Sequence, residues 1–122
     1  MPSPTRLRGD GAERAAVIYL RGLRWQVLAT NVLYRVGELD VVADDGESLV
    51  FVEVRSGRGR SAVPAAHTVT LPKQRRLSRA AGLFLAHYSG PRFIARFDVL
   101  GVDLDRLEVV EHHFGAFDAT EF

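Results

Sequence analysis

The stretch from Glu38 to Arg55 constrains this chain most. It reads Glu-Leu-Asp-Val-Val-Ala-Asp-Asp-Gly-Glu-Ser-Leu-Val-Phe-Val-Glu-Val-Arg. Two runs rich in Val, Leu and Phe flank Asp45-Gly46, a dipeptide that favours a tight two-residue hairpin turn. With that pair as the turn, Asp44 faces Glu47, Val42 faces Leu49, Asp40 faces Phe51 and Glu38 faces Glu53. Side chains alternate along a strand, so Glu38, Asp40, Glu53 and Arg55 share one face. Leu39, Val41, Ala43, Val50, Val52 and Val54 form the other, a core face. Directly opposed carboxylates have Cβ atoms about 4.5–5.5 Å apart and repel by roughly 1–4 kcal/mol per pair. Three acids converging there need a cation, a shared proton or strong solvation. Two readings stay open: a site for a hard divalent ion, Mg²⁺ or Mn²⁺, held by oxygen ligands, or the solvated polar face of a two-sided sheet. A three-residue loop would shift the pairing by one and dissolve the cluster.

With 122 residues, the chain has room for one domain with a real core. It contains no cysteine, which excludes disulfides, thiolate–zinc sites and a thiol nucleophile. No apolar run reaches membrane-spanning length and the N-terminus lacks a signal peptide's apolar segment, so no membrane association and a cytoplasmic location are expected.

A net charge of +1 conceals an asymmetry. Between Glu53 and Asp98 there is no acidic residue, whereas nine basic ones fall there, among them Arg55, Arg58, Arg60, Lys73, Arg75, Arg76 and Arg79. A basic middle beside an acidic cluster suits a polyanion brought to a metal site; a solvated helix and loop would read the same way. Only one of the sixteen basic residues is lysine, so the choice of arginine partly reflects composition.

The chain divides into a disordered lead-in over 1–8, a single domain over 9–117 and a tail over 118–122. A helix is expected over 11–22, capped by Asp10 with Glu13 three residues on, and with Ala12, Ala16, Tyr19, Leu20 and Leu23 as its apolar stripe. Glu13 sits at the edge of that stripe, placed either to cap the helix or to point inward. A first strand runs from Trp25 to Asn31, joined to the hairpin by residues 32–37. A basic, glycine-containing loop follows from Ser56 to about Thr70. Pro72 opens a helix to about Tyr88, with Leu77, Ala81, Phe84, Leu85 and Tyr88 inward and Lys73, Gln74, Arg75, Arg76 and Arg79 near its positive end. Strands over 93–102 and 107–113 close the order, and Phe114, Phe117 and Phe122 cover the core edge or meet a partner. Helix, three strands, helix, strand, strand predicts a mixed sheet with helices packed on it.

Several short motifs occur in one order: Gly9 to Ala16 (Gly-Asp-Gly-Ala-Glu-Arg-Ala-Ala), Gly37-Glu38-Leu39-Asp40, Phe51-Val52-Glu53-Val54-Arg55, Lys73-Gln74-Arg75-Arg76-Leu77 and Arg96-Phe97-Asp98-Val99. In this the chain resembles the YraN-like family of small bacterial proteins, over nearly its whole length. The resemblance implies an α/β fold of the restriction-endonuclease-like, PD-(D/E)xK type, related to archaeal Holliday-junction resolvases. Its core is αβββαβ, a mixed β-sheet flanked by helices, here with one extra C-terminal strand. It further implies a Mg²⁺- or Mn²⁺-dependent nuclease acting on DNA, branched or single-stranded, with a homodimer as one arrangement. The catalytic roles fall on Glu13, Asp40, Glu53 and Arg55, with Glu38 beside the metal ligands. Arg55, Arg58, Arg60, Lys73, Gln74, Arg75, Arg76 and Arg79 would hold nucleic acid. Leu39 stands where the superfamily has proline, at no chemical cost. Arg55 stands where it has lysine; arginine can stabilise charge or hold a phosphate but stays protonated. Two further readings remain: a non-catalytic nucleic-acid-binding module on a nuclease scaffold, and a protein-interaction domain using the aromatic tail.

Overall fold

The computed structural model describes residues 4–59, 69–91 and 94–119. Its elements are α1 (Pro4–Gly22), β1 (Gln26–Tyr34), β2 (Gly37–Asp44), β3 (Ser48–Gly57), α2 (Leu71–His87), β4 (Ile94–Asp103) and β5 (Glu108–Phe117). The strands form one five-stranded sheet in sequential order. β1, β2 and β3 are antiparallel neighbours, β3 and β4 run parallel, and β5 returns antiparallel to β4. A parallel pair needs a crossover connection, and α2 supplies it. The αβββαβ core with one added strand is therefore the architecture.

The helices cover opposite faces. Leu77, Ala80 and Ala81 of α2 pack on Leu39, Val42, Leu49, Phe51, Phe97 and Val99. Ala16 and Leu20 of α1 pack on Val41, Val50, Val52 and Leu100. Neighbouring residues such as Val41 and Val42, or Val50 and Phe51, thus enter different clusters, as strand alternation requires. Both faces are core, so of the two readings left open for the face bearing Asp40 and Glu53, a wholly solvated polar face does not hold. Its inner part lies under α2 and the acids sit at the margin of that cover.

The hairpin corrects the expected register. The observed pairs are Val41 with Val52, Val42 with Phe51, Ala43 with Val50 and Asp44 with Leu49. The turn is centred on Gly46 and Glu47, closed by Asp45 N–H donating to the Ser48 carbonyl at 3.2 Å. Gly46 has φ 100°, the positive value that a type II′ turn needs at its first central position. Asp45 favours this turn because its Oδ1 accepts from the N–H groups of Glu47 and Ser48 at 2.8 and 2.7 Å. Relative to the expected pairing the slip is two residues, and an even slip keeps the facing parity; Leu39, expected on the Val41 face, instead packs with Val42 and Phe51 under α2. Continued along the strands, this register sets Asp40, not Glu38, opposite Glu53, and Glu38 opposite Arg55.

Other boundaries move as well. α1 begins at Pro4, where proline suits a first helical turn, so residues 4–8 are helical and Asp10 lies within the helix rather than at its cap. Leu23, expected in the stripe, is exposed. β1 continues through residues 32–34 to a tight turn at residues 35–36, and β5 runs on to Phe117. Arg60 lies outside the described residues, as do residues 92–93 and 120–122.

Candidate functional site

Asp40 and Glu53 meet where β2 and β3 stop pairing. Beyond Val41 and Val52 the ladder ends, and Asp40 Oδ2 accepts the Val54 N–H at 2.8 Å. That bond satisfies a backbone donor which the ladder leaves over, and it fixes the carboxylate beside Glu53. Glu53 is only 7 % exposed. Burial and the adjacent Glu53 carboxylate, with Glu38 further off, push the Asp40 carboxyl up to about 8 despite the Val54 bond. The two acids therefore do not both ionise readily: Asp40 holds its proton near neutral pH beside the Glu53 carboxylate.

They border a cleft of about 140 Å³ lined by Gly37, Glu38, Asp40, Glu53, Lys73, Arg76 and Leu77. Gly37 allows the close approach of β2 to α2, because a Cβ there would lie 3.2 Å from the Arg76 carbonyl oxygen. On the opposite wall, Thr70 caps α2, accepting the Lys73 N–H at 3.4 Å, and Pro72 stands in the first turn. Gln74 donates its side-chain amide to the Val69 carbonyl at 2.8 Å, so this side chain anchors the helix start. Lys73 then reaches across, its Nζ 3.3 Å from Glu53 Oε1.

The other residues singled out from the sequence are distributed as follows. Glu13 Oε1 accepts from Asn31 Nδ2 at 2.8 Å. Asn31 lies between the β1 residues paired with Val41 and Leu39, hence opposite Asp40, and its φ of 51° is unusual within a strand. Helix and acidic strand are thereby linked through β1. Even so, among the described residues no three His, Asp or Glu side chains are gathered closely enough to enclose an ion. Asp40 and Glu53 are brought together; Glu38 joins them along the cleft. Arg55 lies beside Gly101 of β4 and is not among the residues lining the cleft. Arg75, Arg76 and Arg79 are exposed along α2. Arg58 is paired with Asp105 at 3.1 Å, across the mouth of the β4–β5 turn.

A larger hollow of about 410 Å³ lies at that turn, bordered by Gly59, Asp103, Asp105, Arg106 and Glu108. Its acids are engaged: Asp103 Oδ1 accepts from the N–H groups of Gly59 and Asp105, and Glu108 pairs with Arg106. Sequence reasoning missed Asn31 and the Lys73–Glu53 contact. The one local signal for Asn31 was its residue type, since asparagine tolerates positive φ best among non-glycine residues.

Two adjacent carboxylates at the margin of a core, open to a cleft with cations opposite, are a donor set that suits Mg²⁺ or Mn²⁺. Such ions take one or two carboxylates and complete their shell with water or phosphate. Among the described residues no helix is long and apolar enough to cross a membrane.

Sequence comparison finds relatives over most of the chain. A UPF0102 protein of Symbiobacterium thermophilum is 43% identical over 95 residues, covering 78% of this chain and 80% of that one. One from Mycolicibacterium vanbaalenii is 44% identical over 103 residues, 84% and 85% of the two chains. A third, from Alkalilimnicola ehrlichii, is 39% identical over 116 residues, 94% and 92%. The model of the Uncharacterised protein family UPF0102 matches residues 12–102, which hold both carboxylates, the cleft and α2, and the chain belongs to that family.

Proposed function

We propose that this protein is a divalent-metal-dependent nuclease of the PD-(D/E)xK type that hydrolyses phosphodiester bonds of DNA, branched or single-stranded. The observation that carries this reading is the buried Asp40–Glu53 pair, met by a single ammonium, on a cleft whose far wall is the basic start of α2. Asp40 and Glu53 would hold Mg²⁺ or Mn²⁺, with Glu38 on the same cleft to support them. The bound ion lowers the pKa of a coordinated water and neutralises charge on the phosphate. The protein's own part is to fix Asp40 through the Val54 N–H and Glu53 through Lys73, and to present cations to the DNA backbone. Arg75, Arg76 and Arg79 contact phosphates without reading bases, so binding is salt-dependent and almost indifferent to sequence.

The test is cleavage of single-stranded, flapped and four-way-junction DNA with Mg²⁺ or Mn²⁺. Nicking or resolution that disappears in Glu53→Ala is expected; that variant also controls for contaminating nucleases. DNA binding without cleavage by any substrate or metal would make the chain a binding module on a nuclease scaffold, the reading that Arg55 in the lysine position favours.

A further inference from the structure

Fifteen of the sixteen basic residues in this chain are arginine; Lys73 is the only lysine. It is also the residue whose Nζ lies 3.3 Å from Glu53 Oε1. Arginine meets the buried Asp98 carboxylate on β4, through Arg96, whereas lysine stands at the position that meets the buried carboxylate bordering the cleft. The surroundings hold it there. Thr70 and Gln74 fix the first turn of α2, and the Lys73 side chain is 45% exposed while that of Glu53 is 8% exposed. The ammonium thus stands at the boundary between the core and the cleft. An ammonium is a compact charge with three donors: one satisfies Glu53, and two remain for a ligand in the cleft. A guanidinium is planar and bulkier, matched to two parallel acceptors rather than to one buried oxygen and a neighbour.

We infer that Lys73 is the catalytic lysine of this site, approaching Glu53 from α2 and filling the role that Arg55 on β3 leaves open. The inference rests on the phosphodiesterase reading above. In that reaction a water oxygen forms a bond to phosphorus and the P–O bond to the leaving oxygen breaks. The water's proton passes to solvent and the leaving oxygen takes a proton from solvent. Lys73 stays an ammonium throughout and donates to a non-bridging oxygen as negative charge gathers on the phosphoryl group. When no ion is held, the same ammonium partly neutralises Glu53.

Three measurements on the full chain test this: single-turnover cleavage with Mn²⁺, DNA affinity in Ca²⁺, and Mn²⁺ affinity by calorimetry without DNA. Lys73→Met should slow cleavage about 100-fold, as loss of an aligned transition-state donor does, while DNA affinity in Ca²⁺ falls by a much smaller factor, that of one phosphate contact. Arg55→Met should lose less than Lys73→Met. Lys73→Met should also bind Mn²⁺ several-fold tighter, because a cation competing for Glu53 is gone. A Lys73→Met rate within about threefold of the parent overturns the inference, and so does a loss matched by an equal loss of DNA affinity. Arg55→Met as the more damaging change overturns it too. In each of those cases a cleaving parent leaves the nuclease reading standing. A parent that binds Mn²⁺ but cuts no DNA overturns both.

Discussion

Two groups of buried carboxylates sit on the same sheet and are treated in opposite ways. Asp98 of β4 is fully buried, and its carboxylate is met by Arg96, His112 and the Gly115 N–H. Arg96 Nε lies 2.9 Å from Oδ1, His112 Nε2 2.9 Å from Oδ2, and the Gly115 N–H donates to Oδ1 at 3.0 Å. Arg96 extends the network to Asp45 at 2.6 Å, and Tyr19 of α1 meets His112 Nδ1 at 2.9 Å. Burial alone would raise the Asp98 carboxyl, but the bonds from His112, Arg96 and Gly115 overcome it and hold it below the usual carboxylate range. Asp40, beside Glu53, goes the other way, up to about 8. One cluster is closed by the fold. The other has a single lysine at its edge and an open cleft in front. Asp98 is met by cationic side chains and a backbone donor, whereas Asp40 has one backbone donor and a carboxylate for a neighbour, and the proposed metal site rests on that contrast.

The largest effect expected from this contrast is at Asp98. Asp98→Ala leaves Arg96 partly buried without its main partner and should cost about 3–5 kcal/mol of folding free energy. Urea unfolding checks this; a loss below about 1 kcal/mol, the worth of an exposed pair, would show the network to be dispensable.

A smaller effect of opposite sign is expected at Asp40. Its folded carboxyl keeps a proton that the unfolded chain releases near the ordinary value of 3.8. Between those two values the folded state binds more protons, so this group lowers stability as pH rises from about 4 to about 8, and adds no further slope above that. Asp40→Asn keeps an acceptor for Val54 and removes that slope. Without metal, it should stabilise the protein by about 1–2 kcal/mol at pH 8 and by almost nothing at pH 4. Urea unfolding in a chelator across that range measures it, and a variant less stable than the parent at pH 8 would break the contrast.

How much of this was legible in the sequence depended on range. The αβββαβ order came from hydrophobic periodicity and turn residues, both local. The hairpin register was misplaced by two because Asp45 bonds forward to Glu47 and Ser48, which moves the turn onto Gly46-Glu47; even parity kept Asp40 and Glu53 on one face regardless. That the face is half core was not legible, since α2 covers it only through the crossover. Nor was the Asp98 network: Arg96 meets Asp45 and Tyr19 meets His112 across 51 and 93 residues of chain. The Lys73–Glu53 contact is tertiary for the same reason. Arg58, read as a phosphate contact, has the turn residue Asp105 as a partner that no local pattern announces.

Calorimetric titration of the parent, Asp40→Asn and Glu53→Gln with Mn²⁺ near pH 7, repeated in two buffers of different ionisation heat, tests the central claim most directly. The parent should bind one ion and release nearly one proton, that of Asp40, as it does so. Both variants should lose the site. Equal Mn²⁺ affinity in all three proteins, or binding with no proton released, would contradict the claim that this carboxylate pair was left open for a metal.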